Sequence, residues 1–250
     1  YDLDWIVRVV IVATSGLLSW YVFSALLPSV VAAGLGAAVA VALWVYPEWY
    51  VVDTAGVLMG AGAAGLFGIT FGLLPALVLL SVLAVYDAIS VYGTEHMLDL
   101  ADGVMDLRIP AILVIPLSLS YSLLDDDPET GDQEDGDEDG QAGDSEADDD
   151  RDVFFIGLGD AVIPGVLIAS AAFFSPAPKF GVPIIELNLP ALLALLGTLG
   201  GLLVLMRMVM KGRAHAGLPL LNGGAIGGYL LGSLLAGISL LETVGLTGIV

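Results

Sequence analysis

Apolar residues run along this chain in blocks too long for strands and too continuous for the amphipathic helices of a soluble surface. About 20 apolar residues cross a bilayer as a helix. Cutting the runs at their proline, glycine and charged residues leaves seven blocks: Trp5 to Leu27, Ser29 to Tyr46, Thr54 to Phe71, Leu73 to Tyr92, Val153 to Ser175, Leu189 to Met206 and Leu218 to Leu240. The third and fourth form one run, too long for a single span, and the Gly72 to Pro75 region is the natural break. The pattern predicts an all-α fold, a polytopic transmembrane helical bundle with seven spans.

The stretch between the fourth and fifth blocks has a different character. From Glu95 to Leu107, Met97, Leu98, Ala101, Val104, Met105 and Leu107 alternate with Asp99, Asp102 and Asp106, a spacing that suits a short helix at the membrane surface. Arg108 to Leu124 is apolar but interrupted by Pro110 and Pro116, which predicts a strand or re-entrant piece rather than an eighth span. Asp125 to Asp152 has almost nothing to bury and reads as a solvated linker. The chain therefore divides into N-terminal spans (1–92), a polar segment (93–152) and C-terminal spans (153–250).

Composition agrees with a protein of the lipid bilayer: 57% of residues are hydrophobic and only 14% are charged. The net charge of -21 changes the picture less than its size suggests, because 16 of the 28 acidic residues lie between Asp125 and Asp152. That acidity belongs to one loop, in the style of salt-adapted microbes, and indicates no nucleic-acid partner. With no cysteine, disulfides, thiol catalysis and cysteine metal sites are excluded together. No signal-peptide pattern opens the chain at Tyr1. Arg8, Arg108, Arg151, Arg207, Lys211 and Arg213 fall on one side of seven alternating spans and only Lys179 on the other, which orients the acidic loop to the cytoplasm.

Two acids interrupt the apolar blocks. Asp87 lies near the cytoplasmic end of the fourth span in "LAVYDAISVYG", and Asp160 near the cytoplasmic end of the fifth in "FFIGLGDAV". Counted at 1.5 Å of rise per residue, both sit roughly 8 to 11 Å below the same membrane face. Intramembrane carboxylates are costly and mark function. Two that face each other share a proton, giving an acid and a base from one residue type. Such a pair activates water for attack on a peptide carbonyl; the alternative use of intramembrane acids is proton or cation coupling in a transporter. A metal is not indicated, since His96 and His215 form no HExxH pattern, and no GxSG motif suggests a serine protease.

Taken together, "YD" at Tyr86 and Asp87, "GLGD" at Gly157, Leu158, Gly159 and Asp160, and "GLPLLNGGAIGG" opening the last span resemble the presenilin and signal peptide peptidase family of intramembrane aspartyl proteases. The resemblance implies that Asp87 and Asp160 are the catalytic pair and that a Pro-Ala-Leu motif maps onto Pro219, Leu220 and Leu221, with Leu220 where alanine is usual. It implies transmembrane protein or peptide substrates, no metal or organic cofactor, and a cell-membrane enzyme, here a microbial, archaeal homologue. The family has nine spans, and matching the motif-bearing spans to its sixth, seventh and ninth puts the two unread ones on the N-terminal side, either missing from the chain as given or absent from a shorter homologue. Tyr86 is expected to position Asp87 or substrate, and Gly157 and Gly159 to let a substrate strand approach the backbone.

Overall fold

The apolar blocks fold as helices whose ends are set by glycine, proline or a capping side chain. The computed structural model describes residues 4–93, 112–116, 153–181, 187–209 and 216–246. Its helices are α1 (Asp4–Ser24), α2 (Ser29–Val45), α3 (Trp49–Phe71), α4 (Leu73–Gly93), α5 (Leu158–Phe174), α6 (Leu189–Val209), α7 (Gly217–Leu235) and the short α8 (Leu240–Thr243). Two strands, β1 (Ile112–Pro116) and β2 (Val153–Gly157), stand between α4 and α5 in the chain. The surface helix expected over Glu95 to Leu107, the acidic stretch, His96 and His215 lie outside the described residues.

The break between α3 and α4 falls at Gly72, whose φ of 77° is a left-handed conformation that a side chain would strain. Other boundaries differ from the apolar pattern, two of them for a visible local reason. α3 begins at Trp49 rather than Thr54, because the Glu48 carboxylate accepts the Trp49 N–H at 3.3 Å and so caps the helix earlier. α7 stops at Leu235 rather than running to Leu240: Gly237 turns the chain with φ 74°, and Ser239 caps α8. Tyr229 then donates its hydroxyl to the Thr243 carbonyl at 2.6 Å, holding α8 against α7.

The largest difference concerns Val153 to Gly157, assigned above to the fifth span. These residues form β2, paired antiparallel with β1 from Ile112↔Gly157 to Pro116↔Val153. A short apolar run rich in β-branched and aromatic residues satisfies strand and helix patterns equally, and only pairing decides. The strand reading within Arg108 to Leu124 is met by β1, and Pro116 sits at its end, where a missing N–H does not break the ladder.

Helices α4, α5, α6 and α7 share one core, built on Leu80, Leu167, Ala171, Ala194, Ala225 and Tyr229. α1, α2 and α3 pack on each other around Leu43, Val52 and Ala55, and α3 joins the two groups by packing on α5. Small residues dominate inside while large apolar side chains such as Val30 and Leu203 point outward. This inversion is what a bilayer selects: lipid removes the hydrophobic drive for burial, so helices associate where small residues let backbones approach. Five helices, Trp5–Ser24, Trp49–Phe71, Leu73–Val91, Leu189–Val209 and Gly217–Leu235, are long and apolar enough to cross a membrane, and α2 and α5 are apolar at 17 residues each. Buried Asn188 pins two of them together, donating to the Ala171 carbonyl at the end of α5 and accepting the Ala191 N–H in α6, both at 2.9 Å.

Candidate active site

Three helices meet at the site. α4, α5 and α7 each pack on the other two, and α4 brings Asp87, α5 brings Asp160 and α7 brings its first turn. That turn starts with Gly217, Leu218 and Pro219. A helix leaves its first N–H groups without partners inside the helix. Ala216 at the cap offers no side-chain acceptor. Asp87 fills the gap from another helix: its Oδ2 accepts the Leu218 N–H at 3.0 Å. Asp87 is buried, with 8% of its surface exposed, so this bond is shielded from water.

Asp160 reaches the same turn from α5. A Cβ placed on Gly217 would lie 3.7 Å from Asp160 Oδ2, and one placed on Gly157 would lie 3.5 Å from that oxygen. Gly217 is further confined by Leu205, whose Cδ2 would be 3.3 Å from such a Cβ, so a side chain here would be wedged between Leu205 and the carboxylate. Both carboxylates therefore lie beside the first turn of α7.

Their convergence comes about differently from the depth count. α5 starts at Leu158, so Asp160 lies in its first turn rather than two turns inside a span. The residues before it are strand, which rises about 3.3 Å per residue instead of 1.5 Å. The acid is therefore at the mouth of a helix, where β2 hands over to α5.

The remaining sequence-predicted residues separate. Gly157 caps α5 beside Asp160, and a Cβ on Gly159 would meet nothing within 4 Å, so the backbone there is open to approach. Leu158 turns away to pack on α3, its Cδ1 lying 3.1 Å from a Cβ placed on Gly60. Pro219 occupies the first turn of α7, where its missing N–H leaves the hydrogen-bond ladder intact. Leu220 presents its carbonyl to Gly201 of α6, and Leu221 is buried. Tyr86 is not brought in: it is 66% exposed, on a different face of α4 from Asp87. Gly217 and Asn222 were not singled out from sequence. Gly217 carried a signal, directly preceding the Leu-Pro pair, whereas Asn222 was masked by the glycine-rich run around it.

Residues 1–238 match the family described as signal-peptide peptidase, presenilin aspartyl protease. The chain belongs to that family. It is an intramembrane-cleaving aspartic endopeptidase. The protease is also similar to two crystal forms of a presenilin-family intramembrane aspartate protease. The C222 form is 33% identical with a TM-score of 0.60, the match covering 92% of this chain and 73% of that one. The P2 form is 34% identical with a TM-score of 0.55, covering 93% and 71%. Among curated proteins, none matches. Family membership removes the support for a transporter.

Proposed function

We propose that Asp87 and Asp160 are the catalytic pair of this protease, and that it cleaves single-span membrane proteins or peptides with a water molecule activated between the two side chains. What carries the reading is that both carboxylates reach one helix turn, although α4 and α5 are separated by the whole polar segment. The carboxylate member takes a proton from water as its oxygen attacks the peptide carbonyl, while the acid member protonates the carbonyl oxygen. As the C–N bond breaks, the newly protonated aspartate gives its proton to the departing amine nitrogen and one hydroxyl of the tetrahedral intermediate returns a proton to the other aspartate, which restores the pair and leaves a new carboxyl terminus. The Leu218 N–H and the positive end of α7 complement negative charge on Asp87, which suits it to the carboxylate role. Peptide bonds inside a helix are shielded, so substrate must be extended before attack. The β1–β2 ribbon ends at Gly157, directly before α5, and offers backbone edges to which an extended segment can add as a strand. In this reading the site faces the cytoplasmic side of the cell membrane.

Purified protein in detergent is expected to cut a single-span peptide, and a peptide carrying a hydroxyl-bearing mimic of the tetrahedral intermediate is expected to block the cut competitively. Cleavage that such a mimic leaves untouched would remove the paired-aspartate reading.

Deleting the donor on Asp87 gives a finer check. Proline is tolerated in a first helical turn, so Leu218→Pro removes one N–H without breaking α7, and its ring Cδ takes the place of the hydrogen and displaces the Asp87 carboxylate as well. Losing a hydrogen bond to a charged group costs about 1.5–3 kcal/mol. That corresponds to a kcat lower by roughly ten- to hundredfold. Leu218→Ala keeps the N–H and is expected to cleave within about threefold of the parent, since the same relation turns an unchanged bond into an unchanged barrier.

A further inference from the structure

α7 is tied to α4 at a second point, one helical turn beyond the first. Asn222 is fully buried and its Nδ2 donates to the Leu80 carbonyl at 3.0 Å. Asp87 and Leu80 lie two turns apart on α4, and Leu218 and Asn222 one turn apart on α7. The Asn222 bond therefore fixes both the rotation and the height of α7 against the helix that carries Asp87.

Two features mark this amide as more than packing. The Leu80 carbonyl lies inside α4, away from the last turn where carbonyls lack intrahelical partners, so Asn222 adds a second bond to it. Among the described residues, moreover, nothing donates to the Asn222 Oδ1, and a buried acceptor left unpaired is destabilising. An apolar side chain of similar size would fill the same space without that cost. Packing alone is thus served better by an apolar residue than by this half-paired amide.

We infer that Asn222 is a positioning residue for proteolysis, holding the first turn of α7 so that the Leu218 N–H stays on Asp87. The inference rests on Asp87 and Asp160 being the catalytic pair. Asn222 acts through α7 and does not itself touch the reacting atoms.

The test compares Asn222→Ala and Asn222→Val with the parent in detergent, using cleavage of a single-span peptide, binding of the hydroxyl-bearing mimic and thermal melting. Both variants are expected to lose on the order of 10–100-fold in kcat, the scale of a small misplacement in a catalytic site. KM is expected to stay within twofold, affinity for the mimic to fall in step with kcat, and the melting temperature of Asn222→Val to hold or rise. Combined with Leu218→Pro, either variant is expected to cleave no more slowly than the worse single variant, because both changes sever one linkage. Full activity in the variants, additive losses in the double variant, or aggregation of both variants would overturn the inference by leaving the residue idle or merely structural. Asp87→Asn and Asp160→Asn run alongside separate the two questions: if either still cleaves, the catalytic pair is misassigned, whereas if both are dead and Asn222→Ala is active, only the positioning role falls.

Discussion

Asp87→Asn and Asp160→Asn are each expected to lower kcat by a factor on the order of 10³ or more, with KM for a single-span peptide nearly unchanged. Acid–base participation by one side chain is worth about 10² to 10⁴. In a pair sharing one proton, neither member works without the other. Groups acting as a unit are strongly non-additive, so the double variant is expected to be no slower than the slower single one. Stability should follow a different order. An asparagine at position 87 keeps a carbonyl oxygen able to accept the Leu218 N–H, and either change removes a carboxyl group that is costly to hold charged inside the membrane. Both variants are therefore expected to melt at or slightly above the parent temperature, measured by thermal melting in the same detergent. A dead enzyme with an intact fold is the signature of chemistry lost rather than structure. A variant with parental cleavage would exclude that aspartate from catalysis.

The second large effect concerns folding, and it sits on the opposite face of α7. A Cβ on Gly197 would run into the Gly224 carbonyl, one on Gly224 into the Gly197 carbonyl, and one on Gly228 into the Leu193 carbonyl. In each case the obstacle is backbone, which has no rotamer to swing aside. Gly197→Val or Gly224→Val must therefore push α6 and α7 apart. Overpacking a core costs about 1–3 kcal/mol when side chains can adjust; here the cost is expected at or above that upper figure. The prediction is loss of a monodisperse peak on size-exclusion chromatography, with cleavage lost too, because α7 carries the turn that bonds Asp87 and lies beside Asp160. Gly200, Gly223 and Gly227 provide the controls. A Cβ on any of them meets nothing within 4 Å, so Gly→Ala there is expected to be neutral or to stabilise by up to about 1 kcal/mol through helix propensity. If Gly223→Ala and Gly224→Val behaved alike, close backbone approach would not be what joins these helices.

Several features of the fold were readable from one residue type in its local surroundings. The joint at Gly72 is such a case: a glycine and a nearby proline inside one long apolar run leave few other places to stop a helix. Leu113 to Ile115 were readable as part of a strand or re-entrant piece rather than a span because prolines interrupt the run. Phe154 to Ile156 were not. They adjoin the helix of Asp160 without a proline between, and hydropathy does not distinguish a paired strand from the first turns of a span. Tyr86 shows the same limit from the other side, since adjacency to Asp87 in sequence turns it by about 100° on a helix and takes it out of the site.

What the chain determined by itself was the number and character of its apolar blocks, the placing of two carboxylic acids within them, and the motifs that carry the family resemblance. These are properties of composition over about twenty residues, and the cost of an unpartnered carboxylate in hydrocarbon makes its presence informative wherever it is found. Only the tertiary structure decided that Asp87 caps α7 through Leu218, 131 residues away in sequence, that Gly217 leaves room for Asp160, and that Asn222 holds α7 to α4. A backbone N–H has the same chemistry at every non-proline residue. Its role as the partner of an acid comes from the packing that aims it there.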